Sequence, residues 1–357
     1  MLRTPQDRKR HLYPILVWSV VAVLVIATAL AGLVVVAVKM PYKGYAGDSV
    51  VLNILPRTPT ISILTSLETS GVLRDWRFGF VALRLLHPGQ TLKAGEYRFS
   101  GERTPEQVML SIVAGDVVTY RVTVPEGLTC DEVFALFTSQ GFGFPADYAY
   151  LFSHPGELEG VPAGAPSLEG FLFPETYTVT RSMSTREIVT MMTRAFARKL
   201  PPGYAERARA EGLSLVQAVT LASLVERETA IPEERPLVAS VYWNRLRRRM
   251  LLQADPTTIY ALKRLGEWRG VLARSQLTVD EPYNTYVNRG LPPGPICNPG
   301  LSSLEAALEP ADTDFLFFVA AGDGSHTFST TFVEHGRNVA RYFESRREKR
   351  EAARGER

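Results

Sequence analysis

Glu226 and Glu228 close the stretch LASLVERETA (221–230), whose other residues are mostly apolar or small. A carboxyl group set among apolar neighbours tends to keep its proton at neutral pH, and a protonated acid can hand that proton to a leaving oxygen. Ser214, followed three residues later by Gln217, forms a capping-box pattern that starts a helix at Leu215. Pro232 disfavours helical geometry at Ile231, so the helix should stop by about Ala230. At ~3.6 residues per turn, Glu226 falls on the face of Leu215, Val219 and Ala222, with Ser223 beside it. Small residues one turn earlier leave a groove there, and the negative helix end adds to the preference for a protonated Glu226. Glu228 projects ~200° away, which rules out a same-face acid pair in a regular helix and suits it to bracing Arg245 or Arg247. By spacing alone, a glutamate in a buried ion pair has the edge over an acid in a groove.

Further polar residues cluster after this helix. IPEERPLVASVYWNRLRRRM reads as a second helix with Glu233 and Glu234 at its start and arginines at its end, each sign favourable to the helix dipole. LLQADPTTIYAL gathers Gln253, Asp255, Thr257, Thr258 and Tyr260 in a turn and helix start. EPYNTYVNRGLPPGPICNPGLSSLEAAL carries Tyr283, Asn284, Thr285, Tyr286 and Asn298 on a loop stiffened by proline and glycine, before Ser302 and Glu305 cap another helix. A rigid polar loop suits a polyhydroxylated ligand, and Gln253, Asp255, Asn284, Tyr286 and Asn298 are expected to line the cleft. His326, behind a glycine turn in FFVAAGDGSHTFSTTF, reads as structural, with the option of orienting a cleft residue. In LEGFLFPETYTV, the aromatics Phe171, Phe173 and Tyr177 are core residues first and a sugar-facing surface second.

These elements belong to a chain of 357 residues, 45% hydrophobic and 22% charged, enough for two ordinary domains. The net charge of +3 is small for this length and gives no reason to expect a nucleic-acid partner. Residues 15–38, ILVWSVVAVLVIATALAGLVVVAV, contain no charge and are long enough to span a bilayer. Their length favours an uncleaved anchor. A signal peptide cleaved near Ala29-Leu30-Ala31 is the competing reading, though its apolar core is usually only ~7 to 15 residues. Arg3, Arg8, Lys9 and Arg10 outweigh Lys39 and Lys43, so residues 1–14 are expected in the cytoplasm and everything after Lys39 outside it. Cys130 and Cys297 read as two buried thiols, although sequence does not decide whether they pair. No Cys or His cluster has metal-ligand spacing, and neither a metal nor a cofactor is expected.

From residue 45 to about 118 come the strand-like SVVLNIL, the helix-like TISILTSLETSGV, a helical stretch at 78–86, then LKAGEYRFS and TPEQVMLSIVAG. RVTVPEGLTCDEVFALFTSQG echoes the first part some 70 residues on, Pro56 matching Pro125, Thr60 matching Thr129 and Gly71 matching Gly141. Each copy reads strand, turn, capped helix, glycine. Strands expected at 118–124, 171–179 and 315–321 mix irregularly with helices at 185–200, from Leu215, Pro236 and Ser303, and over 331–347, which makes the fold class α+β. The tail, 346–357, mixes Arg, Lys and Glu as a solvated helix end.

LASLVERET, VASVYWNRLRRRMLLQADPTTIYAL, EPYNTYVNRGLPPGPICNPG and FLFFVAAGDGSHTFSTTFVEH together resemble the successive signature blocks of the MltG family, the YceG-like endolytic murein transglycosylases. KAGEYRFSGERTPEQVM and LEGFLFPETY extend the resemblance over nearly the whole chain. It implies a single-pass plasma-membrane (inner-membrane) protein with a cytoplasmic amino end, a small LysM-like module over 39–118 and a catalytic domain over 119–345 outside the membrane. It also implies cleavage of the MurNAc–GlcNAc β-1,4 bond of nascent peptidoglycan to leave 1,6-anhydro ends, which would terminate polymerisation. Glu226, the first acid of the VExET block, is the catalytic residue on this resemblance. Its partners would be glycan strands, the membrane, and penicillin-binding or other wall-synthesis proteins. Ordinary glycosidases need two carboxylates. Asp255 or Glu281 could approach Glu226 in the fold, whereas a transglycosylase takes its nucleophile from the substrate's own C6 hydroxyl. A non-catalytic peptidoglycan-binding scaffold and a glycoside hydrolase are the alternatives.

Overall fold

In a computed structural model, residues 5–355 are described, with side chains described for 16–347 and 351. Residues 1–4 and 356–357, part of the expected cytoplasmic segment and charged tail, lie outside them. The chain forms two compact units, one running to Tyr120 and including Thr178–Ser182, the other made of Arg121–Tyr177 and the chain from Met183 onward.

The first unit opens with α1 (Pro5–Lys39), whose stretch Leu16–Lys39 has a mean hydropathy of 3.0 and is long and apolar enough to cross a membrane. β1 (Ser49–Ile54), α2 (Thr60–Thr69), α3 (Trp76–Leu86), β2 (Gly95–Ser100) and α4 (Pro105–Ala114) follow. β1 and β2 pair antiparallel from Ser49↔Ser100 to Ile54↔Gly95. Their inner residues Ile54, Tyr97 and Phe99 meet Ile63, Leu64 and Leu67 of α2, Leu83 of α3, and Val108 and Ile112 of α4 in one apolar core. Val38, in the last turn of α1, is part of that core, and Val34 packs against it. The apolar helix therefore runs into the folded unit without an intervening linker.

The residues of β3 (Tyr120–Thr123) and β4 (Thr176–Val179) are divided between the two units, and the second unit also contains α5 (Cys130–Ser139), α6 (Pro145–Ser153), α7 (Thr185–Lys199), α8 (Tyr204–Ala210), α9 (Leu215–Glu228), α10 (Arg235–Arg247), α11 (Asp255–Arg264), α12 (Leu301–Leu308), β5 (Phe317–Ala320), β6 (His326–Ser329) and α13 (Phe332–Gly355). The 171–179 strand is shorter than expected: only Thr176–Val179 is extended, while Phe171, Phe173 and Tyr177 are buried as core. Both echo copies fold as strand, helix and a positive-φ glycine, at Gly71 and Gly141. Only the second has a side-chain cap, from Thr129 with Glu132; in the first the matching Thr60 is already inside the helix and the N-cap is Pro59, which has no side-chain acceptor.

Every residue of α9 from Ala218 to Val225 is buried, as expected of a helix apolar on all sides at the centre of a domain. Ser214 and Gln217 form the capping box, with backbone-to-side-chain bonds of 2.8 and 3.1 Å. The α12 cap differs from the sequence expectation: its N-cap is Gly300, and neither Ser302 nor Glu305 caps it. A Cβ at 300 would meet the Glu126 carboxylate, the movable end of a partly exposed side chain.

Asn298 is fully buried and joins separate segments. Its Oδ1 accepts from the backbone N–H of Gly170 (3.1 Å) and Leu172 (2.9 Å), and its Nδ2 donates to the Leu128 carbonyl (2.9 Å). Cys130 and Cys297 are free, buried thiols, the latter donating to the Ser223 carbonyl at 3.4 Å. Burial pushes both thiols well above their ordinary range. Asn298→Ala would strand these buried backbone groups, and a loss of roughly 3 kcal/mol is expected from chemical denaturation of the full chain.

Candidate active site

The α9 terminus sends its two acids to different places. Glu226 is nearly enclosed, with 6% of its side chain exposed, and its Oε1 lies 3.3 Å from Nη2 of Arg235, itself 9% exposed. Its Oε2 accepts from the Gly300 N–H at 3.0 Å. Glu226 therefore meets the first free N–H of α12, a position that favours a negative charge. Arg235 also reaches Glu126 at 3.5 Å and donates to the Ser302 hydroxyl. Of the two placements open to Glu226 by spacing, a buried ion pair or a groove, the structure shows the ion pair, with the facing arginine and helix N-terminus as its partners.

Glu228, the last residue of α9, is half-buried and lines a cleft of about 360 Å³. Where bracing of Arg245 or Arg247 was expected, its carboxylate instead accepts a 2.5 Å hydrogen bond from the Tyr242 hydroxyl. Desolvation pushes its pKa up to about 7. The Tyr242 hydrogen bond opposes that rise, the charge of Asp255 adds to it, and the charges of His326 and Arg245 again oppose it.

Gln253, Asp255 and Tyr286 line the same cleft. Tyr286 donates to Asp255 at 2.5 Å, and the Gln253 N–H donates to the Thr285 carbonyl at 3.2 Å. Gln253 has a φ of 49°, a conformation uncommon for a residue with a side chain and often concentrated at functional sites. Asn284 and Asn298 do not line it. Asn284 is buried, accepting from Thr258 and the Tyr286 N–H and donating to the Leu277 and Val279 carbonyls, so its amide is consumed in holding the loop. Glu281 pairs with Arg264 at 3.1 Å and is absent from the cleft lining.

The sequence reading left out Arg245, Phe317, Phe318 and His335 from this lining. Arg245 is buried and donates to the Leu316 carbonyl at 2.7 Å and the Leu252 carbonyl at 2.7 Å, tying the turn before Gln253 to the start of β5. β5 and β6 pair from Phe317↔Ser329 to Ala320↔His326, which directs aromatic residues to the cleft wall. His326 anchors this hairpin: its N–H donates to Glu234 at 2.7 Å, and its Nδ1 lies 2.7 Å from the other Glu234 oxygen. Against the upward push of burial, hydrogen bonds from His326 and Thr229 hold the Glu234 carboxyl below its usual range. The signal for these residues lay in the aromatic-histidine alternation of FFVAAGDGSHTF, but its facing partner is distant in sequence.

A half-buried acid that titrates near neutrality, beside a second carboxylate and an aromatic wall, defines a cleft suited to acid–base work on a polar substrate. The YceG-like family model matches residues 52–341, and the chain belongs to that family. It is 39% identical over 183 residues to the endolytic murein transglycosylase of Bacillus subtilis (strain 168), covering 51% of this chain and 50% of the relative. The endolytic murein transglycosylase of Streptococcus pneumoniae serotype 2 is 30% identical over 312 residues, 79% of this chain and 56% of the relative. The chain thus spans about half the length of these curated relatives. A crystal structure of a YceG-like protein from Listeria monocytogenes aligns with a TM-score of 0.51 at 31% identity, covering 82% of this chain and 99% of that one.

A carboxyl raised to about 7 carries a stability signature. Between the ordinary carboxyl range and about 7, the folded chain holds a proton that the unfolded chain has released, so Glu228's contribution to stability is present at low pH and is lost as pH rises through about 7. Glu228→Gln is expected to flatten this part of the pH–stability curve, read as urea midpoints from pH 5 to 8.5. Glu226→Gln leaves Arg235 short of a charged partner, and a loss of about 3 kcal/mol is expected in the same measurement.

Proposed function

We propose that this protein is an endolytic murein transglycosylase in which Glu228, rather than Glu226, carries the acid–base chemistry. The observation that carries this reading is the half-buried Glu228, with its pKa near 7, in an open cleft with Gln253, Asp255 and Tyr286. The YceG-like family membership and relatives named endolytic murein transglycosylases support the substrate class.

Near neutral pH such a carboxyl is present in both proton states, so one residue serves both steps. Protonated Glu228 gives its proton to O4, the oxygen bridging C1 of N-acetylmuramic acid and C4 of N-acetylglucosamine, as the C1–O4 bond breaks. The C6 hydroxyl of the same muramic acid forms the C1–O6 bond and returns its proton to Glu228. No water is consumed, and the strand is left with a 1,6-anhydro end. Tyr242 tunes the acid, Arg245 and the Glu234–His326 contact hold the cleft walls, and Phe317 and Phe318 offer faces to sugar rings.

On this reading α1 is a single-pass anchor in the plasma membrane with its amino end in the cytoplasm, and the first unit is a LysM-like module. Acting beside the polymerising enzymes, including penicillin-binding proteins, the protein would terminate nascent strands. A second reading rests on Asp255, whose place in the same cleft suits a two-carboxylate glycoside hydrolase.

Mass spectrometry of glycan strands treated with the full-length protein separates these readings. Transglycosylation gives anhydro ends, hydrolysis gives reducing ends, and a scaffold gives no new ends. Glu228→Gln is expected to lower product formation by at least ~100-fold, while folded Glu226→Gln keeps activity within a few-fold. The opposite ranking would return the chemistry to Glu226. Tyr242→Phe removes a hydrogen bond that stabilises the Glu228 carboxylate, so the alkaline limb of the rate profile, expected near pH 7, should move to higher pH.

A further inference from the structure

The last turns of α1 form one wall of an apolar groove of about 210 Å³ within the first unit. Leu33, Val36 and Ala37 face Phe78 across it, and Arg74 and Arg103 border it. The groove lining is predominantly apolar, and at ~30 Å³ per water-sized group it has room for about seven methylenes. Arg74 stacks over the Tyr42 ring at 5.4 Å, and Arg103 donates from Nε to the Ser100 carbonyl at 3.3 Å. Among the described residues, the ion pairs of this unit engage Lys39, Arg77 and Arg181, and neither Arg74 nor Arg103 has a carboxylate within ion-pair distance.

An occupant must therefore be apolar along one end and anionic at the other. The apolar wall belongs to the same helix, Leu16–Lys39, that is long and apolar enough to cross a bilayer, and it lies at the helix end where the folded unit begins. We propose that this groove binds an anionic phospholipid, with the upper part of one acyl chain between α1 and Phe78 and the phosphate-bearing headgroup on Arg74 and Arg103. Arginine is suited to a phosphate because its planar donors form paired, charge-assisted hydrogen bonds. A bound lipid would extend the core contact made by Val34 and Val38 and steady the first unit at the membrane surface.

This inference rests on α1 spanning the membrane, and alkaline extraction of native membranes tests that premise separately. Full-length protein would be placed in nanodiscs of equal phosphatidylglycerol and phosphatidylcholine, released in mild detergent, and weighed intact by native mass spectrometry. One retained phosphatidylglycerol is expected. In Arg74→Gln/Arg103→Gln its preference over phosphatidylcholine should fall ~30-fold, since each basic residue near an anionic surface contributes about fivefold. Ala37→Phe, which fills the groove with both arginines intact, should release the lipid. Equal retention of the two lipids, retention unaffected by either variant in folded protein, or full displacement by soluble glycerol phosphate would each overturn the proposal. A chain that resists alkaline extraction yet retains no lipid overturns the lipid site alone, whereas a chain that extracts freely removes the anchor beneath it.

Discussion

The second unit depends on the way the Glu226 carboxylate satisfies two positive ends at once. Arg235 begins α10, Gly300 begins α12, and Glu226 lies in the last turn of α9, so one side chain ties three helices at a shared corner. An enclosed carboxylate is costly without partners, and here it has both a guanidinium and a helix N-terminus. With Glu226 turned to that corner, helical geometry carries Glu228 to the other side, where the chain leaves the helix at Thr229. The cleft acid is thus positioned by the acid that stays out of the cleft.

That division also explains how two glutamates, two residues apart, differ in chemistry. Glu226 meets a guanidinium and a helix N-terminus. Glu228 has a neutral hydroxyl as its hydrogen-bond donor, and burial dominates its electrostatics. The charge of Arg245, whose Nε and Nη1 donate to the carbonyls of Leu316, Leu251 and Leu252, opposes this burial without outweighing it. The cleft walls are held through backbone carbonyls and a hairpin, while the acid stands at a helix end.

Local chemistry in the sequence was a good guide to the elements. The α9 limits followed from Ser214, Gln217 and Pro232, and the apolar run before Lys39 foretold α1. Gln253 and Asp255, at a turn and helix start, and Tyr286, on a stiff loop, were recognisable as polar candidates. What the sequence did not disclose was which polar groups the fold would consume. Asn284 and Asn298 look like ligand-binding amides in one dimension, yet buried backbone groups from distant segments claim them. For Glu226 the spacing allowed a buried ion pair, but periodicity gives only the face of a helix, not the arginine and helix end that pack against it. The Phe317–Phe318 wall required the β5–β6 register and the Glu234–His326 contact, both of which join segments far apart in sequence.

The absence of slack between α1 and the first unit has a practical consequence for anyone preparing a soluble fragment. Cutting at Lys39 would remove Val38 and Val34 along with the apolar helix, opening a hole in the packed interior where α1 meets α3 and α4. Such a fragment would expose the apolar residues of α3 and α4 on which the end of α1 packs. Keeping the final turns of the helix and recoding only an outward position such as Val35 would retain the interior while easing handling in water.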